Sequence, residues 1–211
     1  GAAGTWETRV HYTDPNKINT VQLTNPVYAF LADCGYGSAN QFFNQGWYDN
    51  QIGVDPKNPD VVWTAGIDLM RSDDGGRNWG LASYWWFDAT DPNYAHADNH
   101  AISFHPKYNG DSNRTLFVAS DGGVHRTVDA KAGLGTTLDE VCGLTEPDQI
   151  RWSSLNNGYQ VTQFYHGAVY PAGDRFFGGT QDNGTLRGGA AGGLNWGTIL
   201  GGDGGYVAVN R

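Results

Sequence analysis

Three groups of residues in this chain have the types and spacing to do chemistry. His96, Asp98 and His100 form an H-x-D-x-H run. Alternate residues of a strand share a face, so on a strand these three would turn two imidazoles and a carboxylate to one side. That donor set suits zinc, manganese or another divalent ion, and makes the run the candidate metal site. The same side chains would serve equally as a hydrogen-bonded polar cluster with histidine donating to a nearby carbonyl. The second group is a set of acidic turns: Asp121 in SDGGVHR, Asp182 in QDNGTLR and Asp203 in GGDGGY. Two such carboxylates facing one cleft can act as acid and base with a water between them. One would need its pKa raised, which burial beside aromatic rings supplies. Turn aspartates also cap backbone N–H groups, and that use fits all three. The third group is Arg71, Arg126 and Arg187. Three guanidinium groups can grip a carboxylate, but these recur with a longer unit, at spacings of 126 − 71 = 55 and 187 − 126 = 61.

That longer unit is what must position the chemistry. Its first strand type alternates apolar residues and ends near proline, as in Ile52–Pro56, Ile102–Pro106 and Gly167–Pro171, with Val207–Asn210 beginning a fourth. The second type is Val61–Ala65, Leu116–Ser120 and Phe176–Thr180. The third carries the arginines, and the fourth centres on Trp79, Trp152 and Trp196. Period-two alternation bounded by Asn/Asp/Gly/Pro clusters predicts strands throughout. A self-similar unit of this length built from short strands predicts propeller blades. The expectation is an all-β chain: a β-propeller segment over residues 1–211, of about four four-stranded blades with incomplete first and last blades. Ile52–Asp55, Ile102–Phe104 and Val207–Val209 are expected as inner strands. Gly4-Thr5-Trp6 reads as the end of a turn entering a last strand. A propeller closes to remove its edges, so the remaining blades are expected from the same or another chain. No helix is expected beyond a short turn within Thr137–Cys142.

Composition narrows the function. The net charge is −9, with 13 basic and 22 acidic residues, which leaves no basic stripe for nucleic acid. No apolar run is long enough to enter a membrane. Two cysteines, Cys34 and Cys142, allow either one disulfide in an oxidising compartment or two buried thiols. Few lysines with many Gly, Asn, Trp and Tyr suit an extracellular or periplasmic protein. Aromatic residues crowd the acidic turns. The Trp85-Trp86 pair in SYWWFDATDPNY reads as an exposed loop, and with Tyr165, Asp182 and Asn183 it forms the expected ligand-binding set. Flat rings suit a sugar's C–H face and suit blade packing equally.

The stretch Ser72–Trp79, SDDGGRNW, has the S-x-D-x-G-x-N-W form of an aspartate box. With QGWYDNQIGVDP, HADNHAISFHP, QFYHGAVYP with GGTQDNGT, and GGDGGYVAVN, it resembles the bacterial BNR/aspartate-box propellers labelled glycosyl hydrolase. Those are similar in turn to sortilin-type and xyloglucanase-type propellers. The resemblance covers the chain from Gln45 onward; the first forty residues match poorly. Xyloglucanase-type propellers carry one catalytic acid in an Asp-Gly-Gly turn before an aromatic-Arg strand and another in a Gly-Asp-x-Gly-Gly turn. The resemblance thus implies Asp121 and Asp203 as the catalytic pair, although the Asp121 turn is one residue shorter than the family's. The function it implies is recognition of a polar extracellular ligand, a glycan such as a polysaccharide, with glycoside hydrolysis as a further capacity. The alternative is a non-catalytic, sortilin-like interaction scaffold within a larger assembly.

Overall fold

The structure, a computed structural model, describes residues 4–24, 34, 45–142, 149–158, 162–189 and 195–210. They divide into two compact units, Gly1–Gly158 and Tyr159–Arg211. The first unit holds two four-stranded antiparallel meanders. One runs β1 (Gln51–Val54), β2 (Val62–Ala65), β3 (Leu69–Ser72) and β4 (Gly80–Leu81). The next runs β5 (Asn99–Phe104), β6 (Leu116–Ser120), β7 (Gly123–Thr127) and β8 (Ser153–Ser154). The second unit holds a third meander: β9 (Phe164–Val169), β10 (Arg175–Thr180), β11 (Thr185–Gly189) and β12 (Trp196–Leu200). Strands follow one another in chain order across each sheet, the pattern of propeller blades.

In the first unit, the inner strands of neighbouring blades meet closely. A side chain at Gly53 would come within 3.1 Å of Ile102 Cγ2. Behind them lies a core of Val61, Trp63, Leu69, Leu116, Val118, Ile150 and Trp152. Trp63 and Trp152 meet edge to face at 6.5 Å, and the Trp152 indole N–H donates to Ala82 O at 2.8 Å. Trp63 is fully buried, so its loss to alanine costs about 3–5 kcal/mol. Arg71, on the third strand, ties this blade to the next. Its guanidinium grips Asp73 at 2.8 and 2.9 Å, donates to Ala130 O and Ala132 O of the next blade, and lies over the Trp63 ring.

Several expectations are corrected. Helix α1 (Lys17–Thr24) lies where none was expected; Asn16 accepts the Ile18 N–H, and Ile18 and Val21 pack on Trp79 and Met70. Helix α2 (Leu138–Val141) matches the expected short turn, with a capping box between Thr137 and Glu140. Gly4-Thr5-Trp6 is not in a strand and Trp6 is fully exposed. Val207–Val209 forms no strand either, because no described segment pairs with it. Three complete blades are described; residues 25–33 and 35–44, within the first forty-odd residues that match the family poorly, lie outside the described residues. Cys34 and Cys142 form a disulfide. Among the described residues no helix is long and apolar enough to cross a membrane.

Candidate functional site

Three segments of the first unit converge. One is the turn at Gly46–Tyr48 that leads into β1, one is the entry to β5, and one is the two-residue turn between β6 and β7. The β6–β7 turn places Asp121 between paired Ser120 and Gly123. Asn156 braces it, donating to Gly122 O at 2.6 Å and accepting the Val124 N–H at 3.0 Å. Gly123 has φ of +95° and lies against the Asn156 amide, so a side chain there is excluded twice. Asp121 itself caps nothing in its own turn. Its carboxylate accepts His100 Nε2 at 2.6 Å and the Tyr48 hydroxyl at 3.0 Å on both oxygens. Tyr48 and His100 also meet edge to face at 4.8 Å.

The expected strand face for His96, Asp98 and His100 does not form. The strand begins only at Asn99, and Asp98 has φ of +57°, so the alternation is broken before it starts. A register shift between Asn99 and Ala101 disturbs it again. The three side chains take separate partners: His96 Nδ1 donates to Ala97 O at 2.9 Å, Asp98 accepts from Gln45 at 2.8 Å, and His100 meets Asp121. Among the described residues no three His, Cys, Asp or Glu side chains are grouped to hold a metal ion. The left-handed backbone of Asp98 is a local strain of about 1–2 kcal/mol. It lets Asp98 O accept the Asp121 N–H at 3.1 Å and sends the Asp98 carboxyl inward.

That carboxyl meets one that the sequence did not single out. Asp49 is buried, and among the described residues no residue other than Asp98 offers its carboxyl a hydrogen bond. What faces it is Asp98. Burial first, and the Asp98 charge second, push the Asp49 pKa up from 3.8 to about 7. Burial raises Asp98 as well, partly offset by the Gln45 amide. Both shifts run the same way, so the pair keeps a proton to higher pH than a free carboxyl does. Beyond lies His125, buried, with its pKa pushed down by burial and by His96. At the outer rim the Trp47 ring is 82% exposed and sits 5.6 Å from Tyr48.

The other expected site residues have surroundings of their own. Asp203 belongs to the second unit, where its Oδ1 accepts the Asp182 N–H at 2.9 Å. Asp182 and Asn183 form that exposed turn, Asp182 with φ of +56°. Tyr165, on β9, is half-exposed. Trp85 and Trp86 are not a free loop: both pack on the core cluster of Met70, Leu81 and Tyr84, and Trp85 donates its indole N–H to Asp68 at 2.8 Å.

No protein-family model matches the sequence, and no curated protein matches it. Among solved structures, the chain is similar to a GH74 enzyme of Niastella koreensis, at 16% identity and a TM-score of 0.32 over 71% of this chain and 21% of that one. It is similar also to an ancestral GH74 enzyme, at 14% identity and a TM-score of 0.32 over 74% of this chain and 18% of that one. The chain thus spans about a fifth of either enzyme's length. Likenesses this distant say nothing of what individual side chains do here; that is read from the geometry above.

Proposed function

We propose that this chain is a propeller segment that recognises a glycan at the Tyr48–His100–Asp121 cluster. One observation carries the reading. Asp121 sits in a turn whose backbone it does not cap, and is held instead by side chains from two other segments, beside an exposed Trp47 ring. A carboxylate, an imidazole and a phenol next to a flat ring supply hydrogen-bonding for hydroxyls and a platform for a sugar's C–H face. The neighbouring Asp49–Asp98 pair would leave room for acid/base chemistry on that ligand, since its proton is available near neutral pH. The Cys34–Cys142 disulfide supports an oxidising, extracellular or periplasmic setting. Exposed Ile52 and Val54 on β1 support further blades beside it, from this or another chain.

The test is calorimetric titration of polysaccharides into the wild type, Trp47→Ala and Asp121→Ala. Saturable binding that both substitutions weaken is the expected result. Absence of binding to any polysaccharide, or binding that ignores both substitutions, removes the reading.

A further inference from the structure

Within the cluster, every donor is already in use. The Tyr48 hydroxyl and His100 Nε2 both turn to Asp121. A carboxylate only accepts, so in this contact Nε2 carries a proton, and in the neutral ring Nδ1 then keeps its lone pair. Nδ1 makes no hydrogen bond among the described residues, and the His100 side chain is 37% exposed. Asp121 remains 24% exposed, with lone pairs beyond those that Tyr48 and His100 occupy. The cluster therefore presents acceptors to an incoming ligand. Behind it lie Asp98 and the buried Asp49 carboxyl, an acidic pair that adds to a negative field opposing anions.

We propose that His100 determines specificity at this site. Its Nδ1 accepts a hydrogen bond from a ligand hydroxyl while Asp121 fixes the tautomer, so that the cluster takes neutral sugars and rejects their uronate counterparts. This rests on glycan recognition at the cluster and adds the ligand's charge class and the atom that reads it. His100 differs from a residue that merely steadies Asp121. A steadying residue needs only its Nε2–H, whereas a ligand contact needs Nδ1 as well.

The substitution His100→Gln separates the two roles, because glutamine can return an N–H to Asp121 but offers no acceptor at the Nδ1 position. The probe is an array of neutral polysaccharides printed beside their C6-oxidised, carboxylate-bearing forms. Wild type is expected to hold the neutral forms and to bind the oxidised ones about tenfold or more weakly. His100→Gln should melt like wild type and lose about tenfold on the neutral forms, the effect of one missing hydrogen bond to a ligand. If His100→Gln binds like wild type while Asp121→Ala does not, glycan recognition stands and the His100 contact falls. A wild-type preference for the oxidised forms, or binding abolished by a chelator, overturns the contact as well. If no polysaccharide is held at all, both readings fall. A measurement independent of any ligand is the ¹⁵N spectrum of the His100 ring in the free protein. A proton on Nδ1 rather than Nε2 would refute the tautomer on which the contact depends.

Discussion

Two turns of this molecule are spelled almost alike and behave differently. Ser72-Asp73-Asp74-Gly75-Gly76 joins β3 to β4, and Ser120-Asp121-Gly122-Gly123 joins β6 to β7. In the first, the carboxylate serves its own turn. Asp74 accepts the N–H groups of Arg77 and Asn78 at 3.0 and 2.9 Å, the Asn78 amide at 2.7 Å and the Ser72 hydroxyl at 2.9 Å. Gly76 takes φ of +85° above the buried Trp79 ring. The second connection has two residues, 121–122, against seven, 73–79, in the first, and is braced from outside by Asn156. Its carboxylate is left to partners 21 and 73 residues away. An aspartate in a glycine turn is thus a cap when donors lie three and four residues ahead, and is free for chemistry when the turn is too tight to supply them. Asp203 fits neither kind: the backbone N–H that it accepts is that of Asp182, 21 residues away.

The contrast can be broken most sharply at Asp121. Asp121→Ala is expected to weaken glycan binding about a hundredfold, with a smaller effect on melting. Equal loss of stability in Asp121→Ala and Asp74→Ala, with no change in binding, would make both turns structural. Asp74→Ala should destabilise by about 1–3 kcal/mol, read as a shift in the denaturation midpoint, because it strands several donors at once. It should leave binding untouched.

The two turns' surroundings also respond oppositely to pH. Burial pushes the Asp74 pKa up, but the bonds from Asn78, Ser72 and Arg77 outweigh it and leave it lowered. Its stabilisation is therefore present above the ordinary carboxylate range and lost as pH falls through it. Asp49, raised to about 7, binds its proton more tightly folded than unfolded. Its penalty grows as pH rises from about 4 to about 7 and then levels. Melting of wild type against Asp49→Asn over that range should show the wild type losing ground as pH rises. Against Asp74→Asn, the wild type should lose its advantage on acidification. The smallest effect is expected at Asp203. Asp203→Asn keeps an acceptor for the Asp182 N–H, so its melting temperature should match the wild type's.

Much of this architecture was legible because strands announce themselves locally. Phe176–Thr180 is strand from end to end but for the Arg175 that begins it, and Arg71, Arg126 and Arg187 all fall on the third strand of a blade. The tryptophans are less regular. Trp196 opens β12, whereas Trp79 and Trp152 sit just before their short strands and fill the core instead. What the sequence hid depends on distant partners. Val207–Val209 alternates correctly, but alternation does not provide a neighbour to pair with. His96, Asp98 and His100 share a face only if Asp98 is extended, and its left-handed backbone is set by contacts with Gln45 and Asp121. Asp121 is marked in the sequence by its glycines. Asp49 is not, because nothing beside it in Trp47-Tyr48-Asp49-Asn50 marks it as buried against another acid. Its one available signal was an aspartate within an aromatic pair's reach of a strand, which many exposed turns also show.

The Cys34–Cys142 bond closes a ring of chain with a sequence separation of 108 residues, and β1 through β7 lie inside it. Both site turns and the β5 entry are threaded on that loop. A single cut in an exposed stretch such as 109–113 would therefore sever the backbone without releasing a fragment, and Asp49, Asp98 and Asp121 would stay on one covalent body. For a protein that meets proteases, such a nick becomes a break in a closed ring instead of the loss of half a binding site.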